Sequence, residues 1–234
     1  MHIFYTPDIT GDDYTLSAEE SKHCVRVLRM AEGESVVLVD GHGNRYDGEI
    51  DRAEAKGCRV RILRRTEHYG ARPFRLHLAI APTKQMERME WMVEKCTEMG
   101  IDAVTMLATE HSERREVKTE RLDKVALAAM KQSLKAYLPE VHPMTEFRRF
   151  VASCTETQRF IAHCREGEKK RLDEAYRPGE DAVVLIGPEG DFSAEEVAFA
   201  EEHGFVPVTL GTSRLRTETA GIVACHSINF MNKV

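Results

Sequence analysis

The chain has 234 residues, of which 42% are hydrophobic and 31% charged, with a formal net charge of −6. That length suits one large α/β domain, or a small domain joined to a medium one, and the composition excludes a disordered chain. No run approaches the roughly 20 apolar residues that span a bilayer and the N-terminus lacks the features of a signal peptide, so a cytoplasmic protein is expected; the acidic total argues against a general nucleic-acid binder but leaves room for a local basic patch.

Residues 1 to about 70 carry short runs with period-two alternation: Ser35–Val39, Tyr46–Ile50 and Cys58–Leu63. Turn formers separate them, chiefly Asp40-Gly41-His42-Gly43-Asn44, so a small antiparallel β domain is predicted. Within it Ser17-Ala18-Glu19-Glu20 has the pattern of a capping box and opens a short helix through about Leu28. The polar stretch Arg64 to Pro73, with Gly70 and Pro73, marks the boundary.

From Phe74 the pattern changes to strands alternating with helices. Phe74–Ala81 alternates and stops at Pro82, then Met86, Met89, Met92, Val93 and Cys96 recur at helical spacing, with Gly100 suited to end that helix. Ala103–Leu107 is a predicted strand. Leu122 to Leu134 marks a second helix, ended by Pro139. Arg159–His163 and Ala182–Ile186 are further strands. Ser193-Ala194-Glu195-Glu196 is a second capping box, opening a helix that stops at His203-Gly204. Val206–Leu210 is a strand, and Ala220, Val223, Ala224, Ile228 and Met231 form a last helical stripe. Such alternation implies a mostly parallel sheet covered on both faces.

The six cysteines are scattered with no C-x-x-C, which fits reduced structural thiols and gives no clustered metal ligands. In an open parallel sheet, ligands bind beyond the carboxyl ends of the strands. Four loops lie there: Pro82-Thr83-Lys84, His163 to Glu166, Gly187-Pro188-Glu189-Gly190 and Gly211 to Arg216. Two are rich in Gly, which lets backbone approach a ligand closely. G-x-G-x-x-G, the P-loop pattern and G-x-S-x-G are all absent. The residues alone therefore specify an α/β enzyme or binding protein with a Gly-lined site at one sheet edge.

A resemblance carries the reading further. Ile186-Gly187-Pro188-Glu189-Gly190-Asp191-Phe192-Ser193, followed by Leu210-Gly211 and Leu215-Arg216-Thr217-Glu218-Thr219-Ala220, resembles the RsmE family of 16S rRNA uridine-N3 methyltransferases, members of the knotted SPOUT class. Glu94-Lys95-Cys96-Thr97-Glu98-Met99-Gly100 and Lys131-Gln132-Ser133 with Pro139 are similar to two further family elements. His23, Val27-Leu28-Arg29, Gly33 and Asp40-Gly41-x-Gly43 resemble its small PUA-like domain. The match covers nearly the whole chain in order. It departs at Asp191, where the family usually has a second Gly, and at Lys135, where it usually has Arg.

The resemblance implies a PUA-like RNA-binding β-barrel over residues 1–70 and a SPOUT domain with a deep trefoil knot over 73–234, which forms a homodimer through its last helix. It implies S-adenosyl-L-methionine as cofactor, no metal, and 16S rRNA, within the 30S subunit, as partner. Leu185, Gly187, Pro188, Glu189, Gly190, Leu210, Gly211, Leu215 and Ala220 are the expected cofactor contacts, with Ala162 and His163 at the end of the preceding strand. Arg216 is assigned to substrate binding and Glu218 to proton acceptance, the alternatives being a salt bridge for the first and a favourable first-turn charge for the second. Candidate RNA contacts are Arg26 and Arg29, spaced to share one helix face, with Lys84, Arg88, Arg114, Arg115 and Lys135. Rival readings are a related SPOUT enzyme acting on another RNA, and a non-catalytic RNA- or nucleotide-binding regulator of the same fold.

Overall fold

The computed structural model of the protein describes residues 2–234 and divides into two compact units. The first comprises the chain up to Ala71 together with Met130–Leu138; the second comprises Arg72–Ala129 and Pro139–Val234.

In the first unit the strands are β1 (Ile3–Tyr5), β2 (Asp13–Thr15), β3 (Ser35–Val39), β4 (Arg45–Arg52) and β5 (Arg59–Thr66), with the short helix α1 (Ala18–Lys22) between β2 and β3. They form a sheet of order β1-β3-β4-β5-β2, antiparallel except where β1 runs parallel to β3. The sheet curls around a core that includes Phe4, Leu38, Tyr46, Ile50 and Val60. Ser17 caps α1 by accepting from the Glu20 N–H at 3.2 Å, as the capping pattern predicts. The helix then widens into a π turn at His23–Val27, and Arg29 lies at φ 58. The one-face pairing expected of Arg26 and Arg29 is therefore not formed, because a π turn followed by left-handed backbone breaks the i, i+3 geometry.

The Asp40–Asn44 turn is a seat for the excursion at 130–138. Asp40 accepts from the N–H groups of His42 and Asn44 and from the Asn44 amide, which closes the turn. Gly43 N–H then donates to Ala136 O at 2.9 Å, and Leu138 N–H donates to Gly41 O at 2.9 Å. Lys131 pairs with Glu20 within the same unit. These bonds explain why a segment read as a helix end inside the second region clusters with the first.

The second unit contains β6 (Leu76–Ile80), α2 (Met86–Met99), β7 (Ala103–Ala108), α3 (Glu120–Gln132), β8 (Glu140–Glu146), α4 (Phe147–Ser153), β9 (Gln158–Ala162), β10 (Lys170–Arg171), α5 (Leu172–Ala175), β11 (Ala182–Ile186), α6 (Ala194–Glu202), β12 (Val206–Thr209) and α7 (Thr217–Met231). Its seven strands are all parallel, in the order β10-β12-β9-β11-β6-β7-β8. The apolar run Ala182–Ile186 is buried along its whole length because β11 lies between β9 and β6 with helices over both faces. Ala79, Val183 and Leu185 face one layer, with Phe147, Phe150, Phe192 and Val197 from α4, α6 and the α6 lead-in. On the opposite face α7 packs against α2 and over β6 and β11. The chain thus leaves β12 beside β9 and returns to the middle of the sheet, a path consistent with the knotted SPOUT architecture.

Four elements of this unit were not legible in the pattern: β8, α4, β10 and α5. β8 contains Pro143, which sits where the β7 register shifts between Thr105 and Leu107. A proline is tolerated there because β8 is an edge strand and a bulge frees its missing N–H. Glu146 then caps α4, accepting from Arg148 N–H at 2.9 Å and Arg149 N–H at 2.7 Å.

Candidate active site

Because β12, β9 and β11 are neighbours, the loops that follow them meet at one carboxyl edge. They enclose a cavity of about 860 Å³, within the range of small-molecule sites. Of the sequence-predicted residues, Ala162, His163, Gly187, Pro188, Glu189, Gly190, Leu210, Gly211, Leu215, Arg216, Glu218 and Ala220 line it, together with Arg88. Two segments separated by some 20 residues of chain are therefore brought to one space.

Other predicted residues lie elsewhere. Leu185 is fully buried and packs in the sheet core, since alternation along β11 turns its side chain to the helix layer. Lys84 is exposed and paired with Glu113 at 3.3 Å, while its backbone N–H donates to Glu189 Oε1 at 3.3 Å. Arg114 donates to Lys84 O at 2.7 Å, and Arg115 is exposed on the same loop. Arg26 and Arg29 are exposed in the first unit, where Lys135 is half-buried.

The loop after β11 is built tightly. Asp191 N–H donates to Pro188 O at 2.9 Å, closing a turn over Gly187. A Cβ on Gly187 would stand 3.1 Å from Phe192 N and 3.2 Å from Phe192 Cδ2, so a side chain there would push the turn open by a few tenths of an ångström. Asp191 itself lies at φ 63, the conformation in which the family's usual glycine is at ease. Its carboxylate offsets the strain: Oδ1 accepts from Phe192 N–H at 2.9 Å and Oδ2 from Cys164 N–H at 2.8 Å. The substitution thus ties the loop after β9 to the loop after β11.

Two lining groups have buried polar atoms with no hydrogen-bond partner. Glu218, in the first turn of α7 and 5% exposed, has a buried Oε2 without a hydrogen-bond partner. Both ring nitrogens of His163 are buried and unpartnered. Burial, reinforced by the charges of Lys169 and Arg165 and opposed by Asp191, holds the His163 imidazole below its usual pKa, so the ring is neutral. Arg216, the residue before α7, is exposed on the cavity side. Buried polar atoms normally find partners, and both residues line the cavity, so the site fits a polar ligand. No group of His, Cys, Asp or Glu among the described residues could hold a metal ion.

An RNA methyltransferase domain model matches residues 71–229, and an RNA methyltransferase PUA domain model matches residues 16–63. The chain belongs to the RsmE family of RNA methyltransferases. It is similar to the crystal structure of a probable rRNA-methyltransferase from Porphyromonas gingivalis, with 44% identity, a TM-score of 0.94, and 100% of this chain and 99% of that one covered. A ribosomal RNA small subunit methyltransferase E from Neisseria gonorrhoeae, solved bound to S-adenosyl methionine, matches with 26% identity and a TM-score of 0.88 over 98% of this chain and 97% of that one. The enzyme of the same name from Mycobacterium bovis is 29% identical over 98% of this chain and 91% of its own length.

This RsmE-family cavity is also lined by Arg165, Asp191 and Arg214, from the loops the sequence marked, and by Lys169, which no sequence pattern singled out. His111, on the loop after β7, approaches Asp191 O at 2.9 Å and Gly190 O at 3.1 Å through Nδ1. Both partners are carbonyls, so Nδ1 carries the proton and donates. The hydrogen bond to Asp191 O is the main reason that His111 holds its proton above the usual imidazole range. Nothing in the run Thr109 to Ser112 marks it as part of a site; only the folded sheet edge brings it there.

Proposed function

We propose that this methyltransferase transfers a methyl group from S-adenosylmethionine to N3 of a uridine in the 16S rRNA of the small ribosomal subunit. The observation that carries this reading is the single cavity formed by the 187–191 and 210–218 segments, with its unpartnered Glu218 and His163 atoms, in a chain whose relatives are named for small-subunit rRNA methylation. These names favour an rRNA substrate over the rival readings of another RNA substrate and of a non-catalytic regulator.

When bound, the cofactor supplies an electrophilic methyl group on a sulfonium. The Gly187–Gly190 turn and the Leu210–Leu215 loop hold its adenosine by backbone groups and apolar contact, with Ala162, His163 and Ala220 on the floor. Arg216 grips the pyrimidine and balances the negative charge that develops as N3 loses its proton. Glu218 Oε2, with no internal partner, takes that proton. Alignment of N3 with the methyl carbon supplies most of the remaining acceleration.

The first unit, matched by the PUA model, serves RNA docking, with Arg26, Arg29 and Lys135 as phosphate contacts; within the second unit Lys84, Arg88, Arg114 and Arg115 are further candidate RNA contacts. Phe230, 73% exposed on α7, supports a homodimer through that helix. No helix among the described residues is long and apolar enough to cross a membrane; the proposed ribosomal substrate supports a cytoplasmic enzyme.

Mass mapping of modified nucleosides in 16S rRNA from a strain lacking the gene tests this reading. Loss of 3-methyluridine, restored by the wild-type gene and not by Glu218→Gln, is expected; persistence of 3-methyluridine in the deletion strain would overturn it.

A further inference from the structure

His163 stands at the end of β9, the strand between β12 and β11, and so between the two glycine-bearing loops of the cavity. The peptide that follows it is fixed at both its oxygen and its nitrogen. Lys169 Nζ donates to His163 O at 3.1 Å, and the next peptide N–H, that of Cys164, donates to Asp191 Oδ2 at 2.8 Å. These ties fix where the imidazole leaves the main chain, and both ring nitrogens are buried and unbonded.

A neutral imidazole offers one N–H donor and one bare acceptor. An anionic ligand would favour the protonated ring and leave the acceptor facing negative charge. A neutral heteroaromatic edge, which carries both donors and acceptors, matches the ring as it stands. Resting on the proposed cofactor, we infer that His163, in its unprotonated form, is the cavity's hydrogen-bonding reader of the adenine base and makes cofactor affinity sensitive to acid.

The charges around the ring give the sign. Lys169 and Arg165 oppose a proton on His163 and Asp191 favours one. The ring is neutral at physiological pH and gains its proton only below the ordinary imidazole range. A second proton converts the acceptor nitrogen to a donor, removes one match to adenine, and adds a cation to a cavity floor already lined by Lys169 and Arg165. Affinity therefore falls as pH drops through this range. His111, which titrates on the neighbouring loop, binds the 187–191 turn more firmly when protonated and so works in the opposite direction.

Isothermal titration of S-adenosylmethionine into the full chain at about pH 7.5 and about pH 5.5 tests the inference, with His163→Ala, His163→Asn and His163→Gln beside the wild type and circular dichroism to establish folding. Asn carries its amide near the position of Nδ1 and Gln near that of Nε2. The expected result is a loss of about tenfold in affinity for His163→Ala. One of the two amide variants recovers most of that loss and identifies the nitrogen used. The fall in affinity at acid pH is present in the wild type and absent from all three variants. Wild-type affinity in the three variants, or an acid fall that survives in them, overturns the role of His163 while leaving the cofactor intact. A wild type that gives no heat with S-adenosylmethionine overturns the cofactor reading and this inference with it.

Discussion

Arg72 and Asn229, 157 residues apart, are joined by a hydrogen bond of 2.8 Å from the guanidinium to the Asn229 side-chain oxygen. The same guanidinium donates to Gly100 O and pairs with Asp102, and it lies 4.8 Å over the Phe74 ring. Asn229, 2% exposed, donates in turn to Gly100 O at 3.1 Å and Cys225 O at 3.0 Å. The end of α7 is thereby fastened to the end of α2 and the start of β7. A helix that must return across the sheet after β12 has few covalent constraints on its position, and this polar knot supplies one.

Removing either member should loosen α7. Asn229→Ala leaves a mostly buried guanidinium with an unmet donor, which costs about 2 kcal/mol. Arg72→Ala should cost a similar amount, and the double variant about 1–2 kcal/mol less than the sum, because the partners act as a unit. Urea unfolding of the four proteins measures this, and strict additivity would show that the two residues contribute independently.

Gly43 allows a close approach that no other residue allows. It lies at φ 95, and a Cβ there would stand 2.2 Å from Tyr137 Cζ and 2.3 Å from the Tyr137 hydroxyl. Gly43→Ala combines left-handed backbone strain of about 1 kcal/mol with displacement of a ring, a total of about 2–4 kcal/mol. The excursion at 130–138 should leave its seat, which limited proteolysis between Met130 and Leu138 would detect. Pairing Gly43→Ala with Tyr137→Ala should recover the steric part and leave the backbone part.

Much of the second unit was legible because its signals are local. Ser193 and Glu196 form the reciprocal capping box that their spacing predicts, and Gly100 ends α2 at φ 102. Ala182 to Ile186 reads as a buried strand because both faces are covered. What escaped depends on distant partners. Pro143 belongs to a strand only because β7 pairs with it across a bulge. Arg26 and Arg29 share a spacing that a helix would exploit, but the backbone turns left-handed before the second is reached. The site divides in the same way. The GPEG and LR-x-ETA segments were visible as glycine-bearing loops, but the His111 contacts to Gly190 O and Asp191 O join positions 79 and 80 residues apart.

Glu156 should make the second unit acid-sensitive. Burial alone would raise its pKa, but hydrogen bonds from His77 Nδ1 at 2.6 Å and Cys154 Sγ at 2.9 Å outweigh burial and bring the carboxyl down to about 2 from the ordinary 4.5. A carboxyl with a depressed folded-state pKa stabilises the fold above its unfolded value and loses that contribution as pH falls through the folded one. The window is therefore from about 4.5 down to about 2. The contribution is on the order of 2 kcal/mol after allowance for solvent screening at a side chain that is one-fifth exposed. Urea midpoints measured across this window should fall more steeply for the wild type than for Glu156→Gln. Parallel slopes would show that other carboxylates dominate.

Asp191 offers a test in which two effects oppose each other. Replacing it with Gly, the residue usual in the family at this place, relieves a left-handed conformation that costs an L-residue about 1–2 kcal/mol, somewhat less for Asp. The same change deletes the acceptors for Phe192 N–H and Cys164 N–H, each worth about 1 kcal/mol. The two terms nearly cancel, so the unfolding midpoint of Asp191→Gly should stay within about 1 kcal/mol of wild type. The link between the loops after β9 and β11 is nevertheless gone, and the peptide at 163–164 is free to move. Asp191→Gly should therefore bind S-adenosylmethionine more weakly at unchanged stability, with faster hydrogen exchange at Cys164. Asp191→Asn, which keeps an acceptor and tolerates the same backbone, should retain most of the affinity. Equal affinities for all three proteins would show that the carboxylate serves the turn alone and that the two walls of the cavity are held together by other contacts.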